Sequence, residues 1–266
     1  MFTGVTIGQY VPVESVIHNL DPRTKLLLTL IAMVAVLAAG SGWGLVLVTG
    51  CIAILVFLTR VPWLLYFRGM KPLFILVALN FLIQLFMVPG EPLLQWRLVT
   101  ITRQGLTLAL VMTARLVLLF IIAQLLTFTT SPVSLIDGIE RLLSPLRRLG
   151  VPAHELAMVM SIALRFIPVF YEESEKIVKA QVSRGADFES GNLITRARNL
   201  SSVLVPLFIK ALRRADDLAL AMEVRCYAGG GGRTRLRELR MREADYLFLA
   251  GALLAAVGVR LAGMHL

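Results

Sequence analysis

Two short stretches carry the side chains best suited to grip another molecule: Ser183-Arg184-Gly185 and Val224-Arg225-Cys226. Arginine offers a planar fork of donors that pairs bidentately with a carboxylate. Small neighbours let a partner's surface approach the backbone closely. The chemistry on offer is recognition, not bond breaking. A single arginine at a helix end is by default a partner of the helix dipole in solvent. Here the pattern occurs twice, each time downstream of a Pro-x-Phe: Pro168-Val169-Phe170 and Pro206-Leu207-Phe208. Repetition favours one docking device used twice.

Other chemistry is hard to find. The glycines at 229–232 are not followed by Lys-Ser or Lys-Thr, so they read as a flexible turn and not as a phosphate-binding loop. His18, His154 and His265 are far apart in sequence, and no Ser/His/Asp set or carboxylate pair stands out. Cys51 sits in an apolar run and Cys226 in the second arginine cluster, which suggests neither a disulfide framework nor a metal site. No catalytic residue, metal ligand or cofactor is assigned, and the chain is not read as an enzyme.

The elements that must hold these arginines are membrane helices. Apolar residues make up 57% of the 266, against 45–50% in soluble domains, and the mean hydropathy is +0.78. The expected fold is an all-α integral membrane protein with about five transmembrane helices plus long cytoplasmic coupling helices. Four spans are expected in a membrane domain at 1–130: 26–40, 45–59, 72–88 and 105–127. A coupling region follows at 131–243, and a last span at 244–266. Asp21 before Pro22 can cap the first helix. A cleaved signal peptide fits poorly, because Glu14 and Asp21 precede the first apolar run. Residues 60–71, with Arg60, Trp63, Tyr66, Arg68 and Lys71, read as an interfacial connection. Val99-Thr100-Ile101-Thr102 predicts a small hairpin outside the membrane. Arg115 inside the fourth span calls for a carbonyl or an acid as partner, or else lines a transport path; a mid-bilayer charge costs about 2.5–3.5 kcal/mol on insertion scales.

Residues 131–149 read as an amphipathic helix, with Val133, Ile136, Ile139, Leu142 and Leu143 at helical spacing. Pro152 opens one long helix and Asn192 a second. The second carries an apparent seam of Leu204, Phe208, Ala211, Ala215, Leu218 and Met222 at alternating steps of four and three. The first carries Ala163, Phe166, Phe170, Ile177 and Ala180, interrupted by Glu173. Both are expected to start at the membrane and project into the cytoplasm. Arg165 and Pro168 mark a hinge in the first, or the point where a helix begins at the interface. Basic residues concentrate in 130–243, which places the N-terminus inside by the positive-inside rule.

Several stretches together resemble a known family. They are Ile7-Gly8-Gln9-Tyr10 with Leu20-Asp21-Pro22-Arg23-Thr24-Lys25, then Leu164-Arg165-Phe166-Ile167-Pro168, Gln181-Val182-Ser183-Arg184-Gly185, and Ala221-Met222-Glu223-Val224-Arg225-Cys226-Tyr227, followed by Arg233-Thr234-Arg235. The chain is similar to the transmembrane T components of energy-coupling factor (ECF) transporters, ABC-type importers of vitamins and metal ions. The resemblance implies two Ala-Arg-Gly motifs ending the coupling helices, each docking in one of two cytoplasmic ATPases. They map to Ser183-Arg184-Gly185 and Val224-Arg225-Cys226, with both arginines matching and the flanks departing. It further implies a separate membrane-embedded substrate-binding S component, resting on apolar faces that include Met158, Met160 and Phe166, and a multi-pass location in a bacterial-type cell membrane. Two other readings stand beside it: a self-contained secondary transporter or channel, which would need more polar groups within its spans, and a membrane-anchored module using the basic run 233–242 on anionic lipid or nucleic acid. Glu238 interrupts that run and no stacking aromatics accompany it, so a positive flank of the last span suffices and no nucleic acid is expected.

Overall fold

The structure is a computed structural model that describes residues 10–40, 42–96, 99–188, 192–227, 229 and 241–264. The glycines at 230–232 and the basic run at 233–240 lie outside the described residues. Its contacts divide into two units: one takes the chain up to Ile139 together with the last helix, the other begins at Glu140 and holds the two long helices.

The first unit opens with helix α1, Pro22–Ala38. Asp21 caps it as expected: its Oδ1 accepts the Arg23 N–H at 2.9 Å, and Pro22 fills the first position, where no donor is needed. Helix α2, Trp43–Thr59, follows from Gly42. Helix α3, Trp63–Met70, leads through a 3-10 turn at Lys71–Leu73 into helix α4, Phe74–Met87. The expected interfacial connection is therefore helical and continuous with the third span. Pro72, lacking an N–H, breaks the α-helical ladder and the chain steps through one tighter turn without leaving the helix. The expected hairpin forms: β1, Pro92–Trp96, pairs antiparallel with β2, Val99–Thr102. Thr102 then caps helix α5, Arg103–Thr129, by accepting the Gly105 N–H at 3.0 Å.

Helix α6, Pro132–Leu143, gives way to a 3-10 segment at Ser144–Leu149. The expected helix over 131–149 is thus shortened by Pro145. Of its expected apolar face only Ile136 is buried, while Val133 and Ile139 are exposed. The C-terminal helix α9 spans Glu243–Met264. Asp245 closes a reciprocal cap there: its Oδ2 accepts the Arg242 N–H at 2.7 Å, and its own N–H donates to the Arg242 carbonyl at 2.9 Å.

The core of this unit is where α1, α2, α5 and α9 meet, at Val36, Ala39, Val48, Ile52, Leu118, Ile122 and Val259. A second cluster joins Val61, Tyr66 and Phe128, with the two rings edge to face at 5.2 Å. Arg115 finds a carbonyl: its Nη2 donates to the Ala39 oxygen at 2.6 Å, at the C-terminal end of α1, where a cation also meets the negative end of the helix dipole. That accounts for the charge without a transport path.

One polar knot ties this unit together. The Lys25 ammonium is buried and donates to the carbonyls of His18 and Thr129, both at 2.8 Å. Asp245, buried as well, accepts the Asp21 N–H at 2.9 Å. The start of α1, the end of α5 and the start of α9 are thereby fixed to one another. Burial, and secondarily the Lys25 charge, push the His18 pKa below its ordinary value and favour the neutral ring.

Four helical stretches are long and apolar enough to cross a bilayer among the described residues: Trp63–Met87, Arg103–Thr129, Ala153–Ser183 and Glu243–Leu261, with Trp43–Thr59 apolar but shorter. The fold is an all-α membrane protein with about five such helices and one small hairpin. Membership differs from the sequence expectation. Helix α1 has 17 residues, with Arg23 and Lys25 in its first turn, so its apolar length falls short of the roughly 30 Å hydrocarbon layer. The Ala153–Ser183 helix meets the criteria only through an apolar 18-residue window, since its second half carries Glu172, Glu173, Glu175, Lys176 and Lys179.

Candidate functional site

The second unit is built on two helices, α7, Ala153–Ser183, and α8, Leu193–Val224. Pro152 and Asn192 precede them, as the sequence indicates. Each contains a proline, Pro168 in α7 and Pro206 in α8, and each runs on through it. Arg165 and Pro168 therefore lie inside one continuous helix that began at Ala153. Pro168 leaves the Leu164 carbonyl without its usual donor, a local weakness in the ladder.

The helices pair antiparallel. The Gln181 amide donates to the Ser202 carbonyl at 3.4 Å, the Lys210 ammonium donates to Glu173, and the Arg214 guanidinium lies 6.0 Å from the Phe166 ring centroid. Glu173, which interrupts the apolar seam of α7 in the sequence, is thus a cross-helix partner. At the turn between the helices, the Asn199 amide donates to the Asp187 carbonyl at 2.5 Å. Two expectations are corrected here. Because the connection is short, α8 returns along α7, and the two helices start at opposite ends of the pair instead of projecting the same way. The apparent seam of α8 is only in part the packed face: Leu204 is 53% and Phe208 65% exposed, whereas Ala211, Leu218 and Met222 are half-buried and Val203 is buried. Facing positions were taken by polar and cationic side chains whose stems pack while their heads bond, which apolar periodicity cannot register. In α7, Met160 is exposed, while Met158 and Phe166 are half-buried.

Both arginine stretches terminate their helices in the same turn. At the end of α7, the Gly185 N–H donates to the Val182 carbonyl at 2.9 Å and the Ala186 N–H to the Gln181 carbonyl at 3.0 Å. At the end of α8, the Cys226 N–H donates to Glu223 at 2.8 Å and the Tyr227 N–H to Met222 at 3.0 Å. These paired bonds are a Schellman motif, which requires one residue in left-handed conformation just past the cap. Gly185 takes that place at φ 87° and Cys226 at φ 54°. The departure from glycine at Cys226 therefore leaves the turn unchanged. A Cβ in this region costs roughly 1–2 kcal/mol. Cys226→Gly is expected to keep the turn and raise the thermal midpoint slightly, whereas Gly185→Val should lower it by the equivalent of about 1–2 kcal/mol; differential scanning fluorimetry on the purified chain reads both.

The consequence for Arg184 and Arg225 is geometric. Each sits at the cap position of its motif, immediately before the left-handed residue, and each is exposed. Among the described residues, neither guanidinium takes part in a hydrogen bond or ion pair. Ser183, Gly185, Val224 and Cys226 flank them and are exposed too. The antiparallel pairing separates the two arginines. With Gln181 opposite Ser202, Arg184 lies level with the first turns of α8, near Asn199, and Arg225 lies at its end, about 39 Å further along the helix at 1.5 Å per residue. Two exposed cationic turns with the same main-chain bonding thus stand toward opposite ends of one helical pair. Sequence reading located both arginines. It could not see the shared cap, although the small or turn-tolerant residue after each was the available signal.

Comparison with known proteins bears on what such a chain is. Residues 13–236 match the family profile CbiQ, described as cobalt transport protein. The energy-coupling factor transporter transmembrane protein EcfT of Acidaminococcus fermentans is 52% identical over 262 residues, covering 98% of this chain and 97% of its own length. The proteins of the same name from Thermosediminibacter oceani, 52% identical over 252 residues (94% and 95%), and Clostridium kluyveri, 50% identical over 249 residues (93% and 92%), are similar throughout as well. On matches of this extent, the chain belongs to the CbiQ/EcfT family, the transmembrane T components of energy-coupling factor transporters.

Proposed function

We propose that this chain couples the movement of two cytoplasmic ABC ATPases to a separate substrate-binding membrane subunit, for uptake of a vitamin or metal ion. Arg184 and Arg225, with their flanking residues Ser183, Gly185, Val224 and Cys226, are the attachment points, one per ATPase. The observation that carries this reading is the pair of matching exposed arginine turns at opposite ends of the α7–α8 pair. When the ATPases close and open, each pulls one end of a stiff helical pair. Arg165 and Pro168 mark where α7 gives, because one rung of its hydrogen-bond ladder is missing there. Exposed apolar residues such as Met160, Leu204 and Phe208 offer an adaptable surface for the substrate-binding subunit. Hydrolysis belongs to the partners, and this chain needs no cofactor of its own. The positive-inside distribution supports a cell-membrane location with the N-terminus in the cytoplasm.

The test is purification of the tagged chain from its native membrane in mild detergent, with mass spectrometry of what accompanies it. Two ATPases and one small hydrophobic subunit are expected, and vesicles holding the assembly should take up substrate only with ATP inside the compartment the ATPases face. A chain that purifies alone and transports in vesicles without ATP would overturn the proposal in favour of a secondary transporter.

A further inference from the structure

Helix α3 has two unlike faces. Inward, Tyr66 is buried against Phe128, and Gly69 lies so close to Gln124 that a Cβ there would meet the amide nitrogen at 2.0 Å. Outward, Leu64, Phe67, Arg68 and Lys71 recur at i, i+3, i+4 and i+7, all exposed, and Trp63 stacks edge to face on Phe67 at 5.5 Å. Arg60, at the left-handed end of α2, is exposed just ahead of this face. The three cations lack partners: among the described residues none of Arg60, Arg68 or Lys71 forms an ion pair or side-chain hydrogen bond. Sequence offers them little, since Glu91 is the sole carboxylate between Pro22 and Ile136.

Three unpaired cations beside two exposed aromatic rings, at the head of a helix long enough to span a bilayer, suit an interfacial anionic headgroup. The indole of tryptophan sits at the headgroup level, a phenyl ring packs just below it among the acyl chains, and guanidinium binds phosphate through parallel hydrogen bonds. We propose that the outward face of α3 binds the headgroups of anionic phospholipids. Arg60, Arg68 and Lys71 surround the phosphate, and Trp63 and Phe67 seat the rings against the upper acyl chain. The selectivity follows from charge complementarity: a zwitterionic headgroup brings its own cation and gains less from three more. This surface is independent of the coupling role of Arg184 and Arg225.

The test uses the full chain with Trp43→Phe and Trp96→Phe, leaving Trp63 as the reporter, in phosphatidylcholine vesicles containing about one-fifth phosphatidylglycerol. Bromine is placed on the acyl chains of one lipid or the other. Mole for mole, brominated phosphatidylglycerol is expected to quench Trp63 at least about twofold more than brominated phosphatidylcholine. Arg60→Gln/Arg68→Gln/Lys71→Gln should equalise the two while keeping the phosphatidylcholine quenching, which reports that Trp63 still faces lipid. Arg60→Lys/Arg68→Lys should retain most of the excess. Equal quenching in the parent protein, or an excess that survives the triple Gln variant, overturns the proposal. So does loss of a co-purifying membrane protein in that variant with no lipid preference beforehand, which would assign the face to an acidic protein partner.

Discussion

Arg184→Glu combined with Arg225→Glu is expected to strip both ATPases from the chain and abolish ATP-driven uptake, while the protein remains folded and inserted. Each arginine is exposed at the cap of a Schellman turn whose bonds are all main-chain, so replacing the side chain removes no structural contact. The loss falls on the interface alone. Truncating or reversing one partner of a buried charge pair typically costs 2–5 kcal/mol, which is about 30- to several-thousand-fold in affinity. The single variants should each lose one ATPase, because the turns stand far apart on the α7–α8 pair. Arg→Lys at either site should fall between, since lysine keeps the charge and loses the bidentate fork. The measurement is the amount of each ATPase retained per chain, with uptake in vesicles. Full retention of both ATPases in the double variant would sink the assignment of these arginines.

Lys25→Met is expected to do the reverse: weaken the fold strongly and leave docking chemistry alone. The substitution leaves the His18 and Thr129 carbonyls without the Lys25 donor and removes a cation that interacts electrostatically with the buried Asp245. Breaking a buried charged network in this way costs about 3–5 kcal/mol. For a chain of this size that corresponds to a drop of roughly 10 °C in the thermal midpoint. Asp245→Ala should approach it, because Asp245 both caps α9 and accepts the Asp21 N–H. Thermal aggregation in detergent reads the stability, and ATPase retention in the surviving folded fraction should match the parent. A midpoint within about 2 °C of the parent would show the knot to be incidental.

These two experiments separate what the sequence settled from what it did not. Local and compositional signals were decisive where physics is local. Asp21-Pro22 reads as a helix start because a carboxylate accepting a first-turn N–H and a proline needing no donor involve only neighbours. Thr102 with its strand, Pro152 and Asn192 before their helices, and the membrane class itself are legible for the same reason. The two arginines stood out because their surroundings repeat along the chain.

Tertiary structure decided what depends on residues far apart. Lys25 lies four residues after Asp21, but its second acceptor is 104 positions away, and nothing near Asp245 in sequence announces that it holds the start of α1. Arg115 needed some carbonyl or acid, and only packing chose Ala39. The seam of α8 holds only in part, at Ala211, Leu218 and Met222, because periodicity counts apolar residues while the interhelix face also uses Lys210 and Arg214, whose heads find Glu173 and Phe166. The antiparallel sense of the pair, and with it the placing of the arginines at opposite ends, comes from contacts between α7 and α8. The chain alone determined that this is a helical membrane protein bearing two matched cationic ends. Only packing decided that those ends share one main-chain turn, with Cys226 in left-handed conformation as Gly185 is, and that they lie toward opposite ends of one antiparallel helix pair.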